Sequence, residues 1–232
     1  MKFKTIRTLL MAAGLTVLAS SCNDNSNDNG FNGVPYNSLV TYDMTVASAD
    51  NDVTKDIAYF TFYTEDNNTA PISYTATNLS RKIEATPGQR MIIAYYLNGQ
   101  SLGQSGPITL ITYRTVPGGA VEVKPTAEAE AANAPISVTT INRTGRYINL
   151  FARLMYNPDR TFTMIADEST VGTETVDLYV TTAVPASGDS GVVNEQVASF
   201  DISQVWNKAE TMSVRVHVNN TAGTQKVYEF KK

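Results

Sequence analysis

The sequence predicts an all-β protein, a small five-stranded barrel followed by an antiparallel β-sandwich. Three observations predict it. From Leu39 onward, apolar residues recur with period two rather than 3.6, as in half-buried strands. Turn signals such as Pro87-Gly88 and Asn98-Gly99 cut these runs into short lengths. One Pro-, Gly- and Ala/Glu-rich stretch, 117–135, divides the strands into two groups.

Residues 1–21 precede all of this and read as a secretory signal. Lys2, Lys4 and Arg7 start it, Thr8 to Leu18 is uncharged and apolar, and Ala19-Ser20-Ser21 are small. The apolar run is too short to span a bilayer core of ~30 Å. Cys22 follows. It is the one cysteine of the chain, so no intramolecular disulfide can form. Leu18-Ala19-Ser20-Ser21-Cys22 resembles a bacterial lipobox, with Ala19 where Leu is commonest. The resemblance implies that the Cys22 thiol takes a diacylglycerol, that cleavage falls before it, and that the new amino group is acylated. Several acyl chains anchor stably where one holds marginally. The expected location is the outer membrane, as a lipoprotein facing the periplasm or the cell surface.

Residues 22–37 are the lipidated Cys22 and a polar, Asn-rich segment with no apolar period, expected to be a flexible tether. Asn25, Asn27, Asn29 and Gly30 mimic a calcium loop. An EF-hand loop starts with Asp and ends with Glu at position twelve, whereas this one starts at Asn25 and would end at Tyr36.

The first domain is expected over 38–124. Its strands are Leu39–Val46, Ile57–Thr64, Ile72–Thr77, Met91–Leu97 and Ile108–Val116. Met91–Leu97 (MIIAYYL) is apolar on both faces and reads as a central strand. Five strands in this length suit a small barrel. Residues 125–134 read as a linker holding a short Ala/Glu-rich helix capped by Thr126. The second domain is expected over 135–232, with strands Tyr147–Met155, Thr161–Ala166, Thr175–Thr181, Val197–Ile202, Met212–Val218 and Val227–Phe230. Within them Val176, Leu178 and Val180 point inward. So do Met212, Val214, Val216 and Val218, while Ser213, Arg215 and His217 point outward.

Three stretches carry a family resemblance: ATPGQRMIIAYYLNG (85–99), GRYINLFARLMYNPDRTFTMIAD (145–167) and MSVRVHVNNTAGTQKVYEF (212–230). With these the chain resembles the NigD-like lipoproteins of Bacteroidetes over nearly its whole length. The resemblance implies a lipid anchor, an N-terminal barrel of OB type and a C-terminal β-sandwich, with an envelope role connected to bacteriocin immunity or secretion. It carries over no active-site residues.

Composition excludes some functions. The chain of 232 residues carries a net charge of −4. Removing 1–21 takes three basic residues and no acidic one, so the mature charge is −7. There is no basic stripe of the kind nucleic acid needs, so no nucleic-acid partner is expected. No catalytic residues, cofactor or metal are expected. Gly188-Asp189-Ser190-Gly191 echoes a serine-protease motif, but the single histidine, His217, lies downstream of it and on a polar strand face. One histidine and an acylated cysteine supply too few ligands for a zinc centre. His217 is expected to be solvated. Asp167, Glu168 and Asp177 mark no carboxylate pair of the kind a glycosidase needs.

The aromatics are the remaining candidates. Tyr59, Tyr63, Tyr95 and Tyr113 lie on expected barrel strands, where rings facing a ligand could stack on sugars; half-buried tyrosines also suit a strand structurally. The expected function is that of a non-enzymatic, lipid-anchored envelope protein that binds a protein. The alternatives are a glycan-binding surface lipoprotein and a carboxylate-dependent hydrolase.

Overall fold

The computed structural model describes residues 35–65, 69–131, 135–155, 157, 159–183, 191–219 and 225–232. The expected signal, Cys22, the expected tether through residue 34 and the Gly188-Asp189-Ser190 motif lie outside them. No helix among the described residues is long and apolar enough to cross a membrane. The described residues form two compact units, one of 35–63 with 71–115 and one drawn from 64–70 with 116–232.

The first unit is a closed barrel of β1 (Tyr36–Val46), β2 (Ile57–Phe62), β3 (Ile72–Ala76), β4 (Arg90–Leu97) and β5 (Gly106–Thr115), ordered β1-β2-β3-β5-β4. β1 starts two residues earlier than the expected tether boundary. It closes the barrel by pairing twice. Its first half, Tyr36–Thr41, pairs with β4, and Thr41–Val46 pairs with β2, with a bulge between Tyr42 and Met44. A bulge bends a strand and increases its twist, which lets one strand serve two sides of a small barrel. Only β3 and β5 run parallel, so this is the OB-like arrangement. Gly88, at φ +89°, makes the expected turn before β4.

The barrel interior is filled by side chains. Val40, Phe60, Tyr74, Met91, Ile93, Tyr95 and Ile108 are all buried there. Tyr95 Oη lies 3.0 Å from Ser38 Oγ and donates to Tyr74 Oη at 3.2 Å, so the buried hydroxyls satisfy one another. Burial, and then the Tyr95 hydroxyl, push the Tyr74 phenol well above the ordinary tyrosine range.

The second unit is a two-sheet sandwich. One sheet runs β14 (Gln225–Lys231), β13 (Ser213–Asn219), β11 (Thr175–Ala183), β10 (Thr161–Asp167), β7 (Glu122–Lys124). The other runs β6 (Gly118–Ala120), β12 (Val193–Asp201), β9 (Tyr147–Met155), β8 (Val138–Thr144). Their inner faces share one core, with Ile148, Leu150, Phe200, Met164, Leu178 and Val216 at its centre. A short helix (Ser203–Trp206) sets Trp206 at one edge of that core, under the Arg143 guanidinium at 4.6 Å.

Three expectations are corrected here. The unit boundary falls between Thr115 and Val116 rather than after 124, because β6 pairs with β12 and β7 with β10. The described part of the expected linker, 125–131, is packed structure. Thr126–Ala131 form helix α1, with Ala129 fully buried against Ile165 and Tyr179. The Thr126 hydroxyl donates to Asp167 Oδ1 at 2.7 Å, which ties the helix start to β10. The sandwich is mixed rather than wholly antiparallel, since β6–β12, β7–β10 and β11–β13 are parallel pairs. Parallel neighbours need a crossover, and here β12 of the opposite sheet lies in sequence between β11 and β13.

Candidate functional site

A polar cluster sits on the outer face of the five-stranded sheet. Val176, Leu178 and Val180 fill the core as expected, so Asp177 and Tyr179 point outward on β11. The parallel neighbour β13 places Arg215 opposite Asp177 and His217 opposite Tyr179. Met212 departs from the expected alternation and is 54% exposed. Its N–H and that of Ser213 both donate to Glu174 O, so the regular strand begins only at Ser213.

Asp177 holds the cluster together. Its Oδ2 accepts from Arg215 Nη2 at 2.8 Å, and its Oδ1 lies 2.7 Å from His217 Nε2. The His217 ring stacks on Tyr179, with centroids 4.7 Å apart and planes 12° from parallel. His217 is therefore not the solvated histidine expected from its strand parity. On the outer face its ring lies against Asp177 and Tyr179 of β11, which leaves the side chain 25% exposed. Burial, followed by the negative charges of Asp177, Glu130 and Asp167, raises the Tyr179 phenol above its ordinary range, and Arg215 partly opposes them.

Beyond β13 lies β14, at the end of the sheet order. It places Glu229 opposite Arg215 and Val227 opposite His217, with Val227 53% exposed. One row thus reads Asp177, Arg215, Glu229, and the next Tyr179, His217, Val227. Both Asp177 oxygens are engaged by these partners. The arrangement presents an oriented guanidinium and an exposed apolar side chain beside a sheet edge, features suited to contact with a protein.

The Asp177 contacts make a measurable prediction. Hydrogen bonds to charged groups contribute ~1.5–3 kcal/mol when shielded, but the Arg215 side chain is 44% exposed, which discounts its share. Asp177→Ala is expected to cost about 1–2 kcal/mol in denaturant unfolding. A double-mutant cycle with Arg215→Ala should show coupling; coupling indistinguishable from zero would mean that this pair adds nothing.

The four candidate tyrosines are not brought together as a platform. Tyr95 is fully buried in the barrel core, a correction. Period two counted from Met91 and Ile93 already puts it on the inner face. Tyr113 faces the barrel core in part and is pinned at its edge. Its hydroxyl accepts from Glu84 N and donates to Lys82 O, each at 3.1 Å, and Arg81 lies 4.7 Å from its ring centroid. The depression beside it holds about 10 Å³, scarcely a water. Tyr59 points outward between Met44 and Thr75, half-buried, and Tyr63 follows the end of β2.

Among known structures, the fold is shared with a protein of unknown function from Bacteroides vulgatus (TM-score 0.60, 16% identity, covering 86% of this chain and 91% of that one). It is shared with a lipoprotein candidate from Bacteroides fragilis (0.57, 14%, covering 86% and 98%). A NigD-like immunity protein from Bacteroides caccae also matches (0.51, 14%, covering 86% and 98%). No protein-family model matches the sequence, and no curated protein does. The resemblance to NigD-like proteins read in the sequence therefore holds at the level of fold.

Proposed function

We propose that this protein is a lipid-anchored envelope protein, held at the outer membrane through Cys22, that works by binding another protein rather than by catalysis. The observation that carries this reading is the edge of the five-stranded sheet. There Val227 stands exposed beside Arg215 and His217, both held in place by Asp177. The filled barrel and sandwich interiors support it, because a protein with packed cores must recognise its partner on an outer surface. Immunity, the role named for the Bacteroides caccae protein, would be one form of such binding.

A photo-crosslinker at Val227, in intact envelopes, tests the proposal against one at Ala49 in the β1–β2 loop. A discrete adduct is expected at 227 and not at 49, and Arg215→Ala should weaken it several-fold. Equal labelling at both positions, or an adduct indifferent to Arg215, would remove this face as the site.

A further inference from the structure

The outermost strand of the five-stranded sheet, β14, carries unused hydrogen-bonding groups, and its neighbours fix their direction. Lys232 N donates to Met212 O at 2.9 Å, in the same register as the rest of the β13–β14 ladder. Opposed residues of an antiparallel ladder alternate between bonded and unbonded pairs. The bonded pairs are therefore Phe230–Val214, Tyr228–Val216 and Lys226–Val218. The backbones of Val227, Glu229 and Lys231 point the other way, off the sheet. The far side of β13 agrees. Ser213 N donates to Glu174 O at 3.0 Å, toward β11, so the Ser213–Lys231 pair is an unbonded one. Three N–H and three C=O groups thus line the outer edge of β14, and no strand among the described residues pairs with them.

The other edges of the two sheets are poorer templates. β6 and β7 have three residues each, and the pairing of β8 shifts register between Val138 and Thr140. Short and bulged edges are how sheets avoid joining other chains. β14 has seven residues, an unbroken register and no proline. Its charge also sets it apart. Lys226–Lys232 holds three lysines against one glutamate, a positive surplus in a chain of net −4. Glu229 stands opposite Arg215 and 3.4 Å from Lys231, so cations already surround it.

We infer that the partner adds an extended segment to β14 as a further strand, with an acidic side chain opposite Lys231 and an apolar one opposite Val227. This rests on the proposed protein-binding face and states how that face is engaged. In such an addition main-chain bonds supply affinity, and every second side chain supplies specificity. On the outer face those selecting positions are Val227, Glu229 and Lys231. The surplus of lysine favours an acidic segment over a second copy of this chain, which would set one lysine-rich edge against another.

The test uses the full chain in intact envelopes with the photo-crosslinker at Val227. Glu229→Pro removes one outward N–H and no bond to β13, a change that an edge strand tolerates on its solvent side. Glu229→Ala controls for the lost carboxylate, and the two variants should melt alike. The adduct is expected to persist in Glu229→Ala and to fall several-fold in Glu229→Pro. Lys231→Glu should weaken it several-fold and Lys231→Arg should retain it. If Glu229→Pro melts far below Glu229→Ala, the same comparison of Lys231→Pro with Lys231→Ala decides. An adduct equally strong in the proline and alanine variants, or indifferent to Lys231→Glu, overturns strand addition and leaves a face that binds through side chains. An adduct made of two copies of this chain overturns it as well. Absence of any adduct at 227 overturns the protein-binding face and the inference together.

Discussion

Replacing Cys22 by alanine is expected to abolish incorporation of labelled palmitate and to move the protein out of the membrane fraction. The effect should be near complete for a physical reason. Burial of an acyl chain contributes ~0.8 kcal/mol per methylene, one myristoyl chain gives only marginal binding, and stable anchoring takes more. Cys22 is the single thiol and stands directly after the small residues Ala19-Ser20-Ser21, so no second residue can take a thioether lipid. A Cys22→Ala chain that still takes up palmitate and sediments with membranes would contradict the anchor.

Gly118→Ala is expected to be the most damaging small substitution in the sandwich. Gly118 opens β6, pairs with Ser199 of β12 and has φ +140°. A Cβ at this position would sit 1.9 Å from Ser199 O and 2.7 Å from Ser199 C, both backbone atoms that cannot swing away. Backbone strain and overpacking each cost ~1–3 kcal/mol, so a loss of about 3 kcal/mol or more is expected. For a protein of this size that lowers Tm by roughly 6–12 °C. Gly119→Ala is the control. Nothing lies within 4 Å of a Cβ there, and its effect should stay within about 1 kcal/mol. Equal melting of the two variants would show that β6 does not depend on the close approach at Gly118.

The different fates of these neighbouring glycines mark the limit of what could be read in advance. Pro117-Gly118-Gly119 reads as a break in the alternation, and β6 and β7 are too short to show a period. Their pairing with β12 and β10 joins segments far apart in sequence. β8 is also hidden, because VTTINRT offers Ile141 as its one strong core residue and turns Arg143 inward over the Trp206 ring. At the site, parity correctly sends Arg215 and His217 outward. It cannot say that Asp177 and Tyr179 arrive from a parallel neighbour.

By itself the sequence determined the all-β class, the barrel ahead of the sandwich, and eleven of the strands, because period-two burial and turn chemistry are local properties of the chain. The resemblance to a lipobox likewise rests on adjacent residues. Tertiary structure alone decided which strands are neighbours, where the barrel ends, and that a lone histidine becomes half of an Asp177–His217 pair stacked on Tyr179. The physical reason is that strand partners and registers are chosen by shared cores between distant segments, and side-chain contacts across a sheet follow from that choice.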